Sequence, residues 1–269
     1  MLKDITLGQF FPGNSFLHKM DPRMKLILTF ALIIIVFVSQ GFIGFGMILA
    51  FVLQVTLSSG IAFKFLVRGL KPILFIVLFT FVLNVFFQTG GDVIFKLGFL
   101  QITDGGLRMA FFLAARLILL VFCSQLLTLT TSPIALTDGL ETLMRPLKRF
   151  HFPAHEIAMM MSIALRFIPT LMDEANKIMK AQTARGADFE NGNLVQRAKA
   201  MVPLLVPLFV GSFRRAEELA MAMEARCYHG DNGRTRMRQL KYGYRDWTAA
   251  GVMVALLAVV LLLNYFKVV

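Results

Sequence analysis

Charge is scarce in this chain: Asp, Glu, Lys and Arg supply 16% of its 269 residues, against 57% hydrophobic. A soluble protein of this length does not carry so much apolar surface, so the composition points to a multi-span membrane protein. Tryptophan occurs once and phenylalanine 27 times, which favours lipid-facing and interhelical packing over an aromatic cage for a ligand. The two cysteines, Cys123 and Cys227, have no metal spacing. Neither faces an oxidising compartment on the topology below, so no disulfide is expected. There is no Gly-rich loop ending in a lysine, which excludes ATP binding in the P-loop manner. His155-Glu156 lacks the second histidine of zinc-protease spacing, and no Ser/His/Asp or Cys/His set is placed for nucleophilic catalysis. Too few ionisable residues lie in the apolar runs for a proton relay. Residues 1–23 have no apolar stretch before their basic cluster, so no signal peptide is expected.

What is present is a series of long apolar runs. The first, Met24 to about Ser59, would extend roughly 54 Å as one helix, too far for a single crossing of a core about 30 Å thick. Ser39-Gln40-Gly41 offers a turn that divides it. The sequence therefore predicts spans at 24–40, 42–59, 72–87, 107–130 and, at the end, 247–266, with residues 1–130 as an N-terminal membrane part and 246–269 as a final span. The polar stretch 88–106 lies between the third and fourth spans. Arg116 falls deep in the fourth and must find a partner inside the bundle or thin the membrane, since no acidic residue sits in a neighbouring span. Arg108 is close enough to the surface to snorkel.

Residues 131–245 form a basic insert holding 17 of the 28 Lys and Arg residues. Lys3, Lys19, Arg23, Lys25, Lys64, Arg68 and Lys71 fall on the same side of the membrane, which makes that side cytoplasmic by the positive-inside rule and puts the N-terminus there. The formal net charge of +12 is thus explained by anionic lipid and partner subunits, and nucleic acid is not an expected partner. Three helices are predicted in the insert. One runs from Ser132-Pro133 to about Phe150, one from Pro153 to Gly186, and one from Leu194 to Tyr228, broken or bent near Pro203 and Pro207. The fold class is all-α: about five transmembrane helices plus a cytoplasmic three-helix domain inserted before the last span.

The second and third insert helices end alike, at Ala184-Arg185-Gly186 and Ala225-Arg226-Cys227. The fourteen residues from Asp173 can be laid on Arg214–Cys227 at an offset of 41, matching at Ala175/Ala216, Ala181/Ala222, Ala184/Ala225 and Arg185/Arg226. An arginine at a helix C-terminus can simply favour its own dipole. Two of them, each flanked by small residues that admit a groove wall, read as forks for carboxylates on another protein.

The N-terminal string Gly8, Pro12, Ser15, His18, Asp21, Pro22, Arg23 and Lys25, at the spacing Gly-x-x-x-Pro-x-x-Ser-x-x-His-x-x-Asp-Pro-Arg-x-Lys, resembles the start of the transmembrane T component of energy-coupling factor (ECF) transporters. The two Ala-Arg-Gly-type motifs resemble that family's other mark, with cysteine replacing glycine at 227. The resemblance implies a modular ABC-type importer in a prokaryotic plasma membrane. Two P-loop ATPase subunits, which alone would bind ATP and Mg, would receive the motifs at Arg185 and Arg226. A small membrane S component would capture a vitamin or metal and rest on the methionine-rich faces of the insert. The chain itself would be non-catalytic and hold no cofactor. The alternative from a different class is an ordinary ABC permease lining its own substrate path; a membrane-bound enzyme or scaffold is the third.

Overall fold

The computed structural model describes residues 10–87, 90, 92–97, 100–189, 193–230 and 239–266. Gly8 of the N-terminal motif and Lys3 of the basic cluster lie outside the described residues, as do parts of the polar segments after Gly186 and Gly230. In chain order the elements are α1 (Pro22–Val38), α2 (Phe42–Ser59), α3 (Phe63–Phe87), β1 (Val93–Leu97), β2 (Leu100–Thr103), α4 (Asp104–Thr130), α5 (Pro133–Met144), a 3₁₀ turn (Arg145–Phe150), α6 (Ala154–Ala184), α7 (Leu194–Ala225) and α8 (Tyr244–Tyr265). The described residues divide into two compact units, one of 10–140 with 240–266 and the other of 141–239, the boundary falling inside α5.

The first unit is the membrane part. By length and composition α2, α3, α4 and α8 are long and apolar enough to cross a bilayer. The 17 residues of α1 reach the lower limit for a span, about 17, and α1 packs against α4 and α8. The family of five apolar helices read from the sequence is therefore present. α4 is the central element, touching α1, α2 and α3. Ile35 and Val36, Ile48 and Val52, Leu66, Leu119 and Cys123, and Val260 close the core from five helices. The outward faces carry Phe30, Ile34, Phe37, Leu57, Phe75 and Phe79, all exposed, a surface suited to hydrocarbon rather than water. The buried Thr56 and Thr130 hydroxyls bond back to their own ladders, to the Val52 carbonyl at 2.7 Å and that of Leu126 at 2.6 Å, so these two leave no unpaired donor. α3 and α4 approach closely at Gly69, where a Cβ would collide with the Gln125 side chain.

At one end of this bundle the last carbonyls of α1 are satisfied from other helices. Asn264 Nδ2 donates to the Val38 carbonyl at 2.8 Å and Arg116 donates to the Ser39 carbonyl at 3.2 Å. The Arg116 guanidinium also lies 5.6 and 5.7 Å from the Phe37 and Phe45 ring centres. Its partner inside the bundle is a helix C-terminus, whose partial negative charge takes the place of a carboxylate. β1 and β2 pair antiparallel between α3 and α4, with Lys96 opposite Gln101.

Three boundaries differ from the sequence reading. α3 begins at Phe63 rather than Pro72: Lys64, Arg68 and Lys71 recur at helical spacing on an exposed face while Leu66 and Leu70 are buried, and Pro72 is accommodated inside. α5 stops at Met144, because Pro146 has no N–H to continue an α-helix, and the chain tightens to a 3₁₀ turn up to Phe150. α7 runs unbroken through Pro203 and Pro207 and ends at Ala225. The two prolines are four apart, so the hydrogen bonds they remove fall on one side and the rest of the ladder continues.

Candidate functional site

The residues of the N-terminal motif from Ser15 to Lys25 form a partly buried polar knot at the other end of the membrane unit, with Asp21 and Lys25 buried. The His18 Nε2–H donates to the Phe11 carbonyl at 2.9 Å, and in the neutral ring Nδ1 accepts from the Ser15 hydroxyl at 2.7 Å. The Phe11 N–H in turn donates to the Leu129 carbonyl of α4 at 2.9 Å. Asp21 is the N-cap of α1, its Oδ1 accepting from the Arg23 N–H at 2.9 Å, and Pro22 fills the first helical position. Arg23 closes a bidentate pair on the same carboxylate at 3.0 and 2.9 Å and stacks 4.1 Å above the Tyr242 ring. The Asp21 N–H donates to Asp246 Oδ1 at 2.9 Å, and Asp246 Oδ2 accepts from the Gly243 N–H at 2.7 Å. Lys25 Nζ donates to the Thr130 carbonyl at 2.9 Å and the Thr131 hydroxyl at 3.4 Å. One short motif thus ties α1 to α4 and α8 and satisfies helix ends that burial would otherwise leave orphaned. Asp246, the α8 residue at the centre of this knot, gives no sign in the sequence beyond being an acid just before an apolar run.

In the second unit, α6 and α7 end in the same backbone construction. At α6 the Gly186 N–H donates to the Thr183 carbonyl at 2.9 Å and the Ala187 N–H to that of Gln182 at 3.0 Å; Gly186 has φ +91°. At α7 the Cys227 N–H donates to the Glu224 carbonyl at 2.8 Å and the Tyr228 N–H to that of Met223 at 3.1 Å; Cys227 has φ +55°. These are two Schellman caps. Arg185 (φ −89°, ψ 6°) and Arg226 (φ −95°, ψ 14°) are the corresponding C-cap residues. A β-carbon at the left-handed position costs about 1–2 kcal/mol, so the cap at 227 is kept at a cost that glycine would avoid. Ala184, Arg185, Gly186, Ala225, Arg226 and Cys227 are all exposed, and among the described residues neither arginine has an ion-pair partner.

α6 packs on α7, and the crossing is marked by an ion pair between Glu174 and Arg215, about one-third exposed. A β-carbon at Gly211 would lie 3.3 Å from Glu174 Oε1, so α7 comes close to α6 there. Glu174 and Arg215 are 41 apart, the offset that relates the two arginine motifs. Each arginine lies eleven residues beyond its own helix's member of the pair, roughly 16 Å along the helix. The two like tips are thus at equal reach along their helices from the crossing. α7 also presents an exposed apolar stripe, Val202, Val206, Phe209 and Phe213, at helical spacing. His155, at the start of α6, is held by Glu141 at 3.0 Å.

The family model described as CbiQ, cobalt transport protein, matches residues 13–237. Over 265 residues the chain is 53% identical to the energy-coupling factor transporter transmembrane protein EcfT of Ruminiclostridium cellulolyticum, covering 98% of this chain and 99% of that protein. It is 56% identical over 251 residues to the protein of the same name from Clostridium kluyveri, covering 93% of each. With that of Bacillus subtilis it shares 47% identity over 267 residues, 99% of this chain and 100% of the other.

Proposed function

The chain belongs to the CbiQ/EcfT family, as a transmembrane T component of energy-coupling factor transporters, and on that premise we propose that it couples ATP hydrolysis by two partner P-loop ATPases to uptake of a micronutrient, a vitamin or metal, captured by a small membrane S component. The observation that carries this reading is the pair of matched arginine tips. Two exposed guanidinium groups, without an ion-pair partner among the described residues, stand on like caps at equal reach from the crossing of α6 and α7. A pair of like ATPase subunits is the partner such a pair of tips fits, one tip to each groove, with Arg185 and Arg226 as the charge-assisted forks. Ala184 and Ala225 keep the approach narrow, and Gly186 and Cys227 turn the chain away behind each fork.

The remaining parts follow. ATP and Mg are bound by the ATPases, and this chain is non-catalytic. Closure of the ATPase pair moves α6 and α7, and the exposed stripe of α7 supports contact with the apolar S component. The protein resides in a prokaryotic cell membrane with its N-terminus cytoplasmic, the side its basic residues favour.

The test is purification of the tagged chain from its own membranes in mild detergent. Two P-loop ATPases and a small, very hydrophobic protein should co-purify, and each single substitution, Arg185→Ala or Arg226→Ala, should loosen the ATPases without affecting membrane insertion. A chain that emerges alone and binds a solute by itself would instead favour a permease.

A further inference from the structure

A cleft of about 370 Å³ opens on the flank of the membrane unit, bounded by α1, α2, α4, α8 and the segment before α1. Its lining is graded along the helices. α1 and α8 begin at the basic end of the bundle and α4 finishes there, as the bonds from Asp21 to Asp246 and from Lys25 to the Thr130 carbonyl establish; α2, which follows the far end of α1 after residues 39–41, runs back toward it. Of the polar lining residues, Lys25, Ser58, Thr130 and Thr248 lie nearest that end and Thr29 and Gln54 about one turn further in; Leu32, Phe51, Cys123 and Met253 line the deeper part and are apolar. The rim residues Ser58 and Thr248 are exposed, whereas Leu32, Cys123 and Met253 are buried. Phe16 forms one wall at the polar end, and the Arg245 guanidinium lies 6.0 Å from its ring centre. Arg245 has no ion-pair partner among the described residues.

We propose that this cleft binds one anionic phospholipid, with an acyl chain along the apolar depth and the phosphate at Arg245. An apolar cleft open to a bilayer does not stay empty, because its walls would forgo dispersion contacts, and water has too few polar partners there. The bilayer supplies acyl chains. The volume is more than twice that of an engineered cavity of about 150 Å³ that takes up benzene, room for a chain segment of roughly a dozen carbons. Any lipid could fill the depth. What selects an anionic one is the Arg245 guanidinium beside Phe16, which donates to the Tyr244 hydroxyl at 3.2 Å but has no ion-pair partner among the described residues, at the same end as Lys19, Arg23 and Lys25. A basic group near an anionic surface contributes about 1 kcal/mol, a preference of about fivefold. The bound lipid would fill the seam between α2 and α8. The site does not depend on the coupling role of α6 and α7.

The test uses the full chain, stripped of lipid in detergent and titrated with phosphatidylglycerol or phosphatidylcholine of the same chain length, read by native mass spectrometry and by the shift in Tm. The wild type should hold one phosphatidylglycerol about fivefold more tightly than phosphatidylcholine. Arg245→Gln should abolish that preference while leaving occupancy by either lipid. Ser58→Phe, which fills the cleft from its exposed rim, should weaken both. Equal affinity of the wild type for the two lipids, a preference surviving in Arg245→Gln, or retention unaffected by Ser58→Phe would each overturn the assignment. So would a result in which Ser58→Phe released only a co-purifying membrane protein, which would make the cleft a seat for a partner helix.

Discussion

At the scale of single residues, the positions behind the two arginines show how one backbone requirement is met by two side chains. Gly186 adopts φ +91° freely, whereas Cys227 holds φ +55° against its own β-carbon. Cys227→Gly should therefore stabilise the protein, and Gly186→Ala destabilise it, each by about 1 kcal/mol, measured from thermal unfolding in detergent. An unchanged Tm in both variants would mean the caps are not formed. The like helix ends at Arg185 and Arg226 were legible in the sequence because the motif recurs, but whether cysteine could occupy a glycine position was not, since a left-handed φ leaves no mark in composition. The partner of Arg116 was also hidden. The sequence displays acidic side chains, and the group that receives this arginine is the Ser39 backbone carbonyl, exposed only because α1 ends there.

At the scale of elements, the spans and the insert helices were readable because long apolar runs and proline or glycine punctuation are local signals. α3 was read short because Lys64, Arg68 and Lys71 look like a loop until their spacing of four and three is set beside the buried Leu66 and Leu70. The knot at the basic end was legible as a motif but not as a structure, since its partners, Thr130, Thr131, Tyr242 and Asp246, come from distant segments. Lys25→Met leaves the Thr130 carbonyl and Thr131 hydroxyl without their shared donor, and should cost about 1–3 kcal/mol in thermal unfolding. The Glu174–Arg215 pair is about one-third exposed, so its contribution to stability is at most about 1 kcal/mol. Its larger effect is to fix where α6 crosses α7. Arg215→Glu, which sets like charges at the crossing, should reduce transport, and the exchanged pair Glu174→Arg with Arg215→Glu should recover it. A double exchange as impaired as the single one would show that the pair does not position the crossing.

At the scale of the whole molecule, two kinds of material are joined in one chain: a bundle whose outward faces are apolar, and a unit whose α6 and α7 end in exposed guanidinium groups. The 41-residue offset, visible in sequence only as a scatter of alanines and an arginine, gains a structural counterpart where Glu174 and Arg215, the same offset apart, meet at the crossing. Matched tips suit a paired motor, and the coupling role stands or falls with them. The decisive measurement is ATP-driven uptake by the full transporter in proteoliposomes carrying Arg185→Ala together with Arg226→Ala, with insertion of the altered chain verified separately. Uptake should fall to background while the chain remains inserted and folded. Uptake equal to that of the unaltered protein would contradict the coupling role of the two tips.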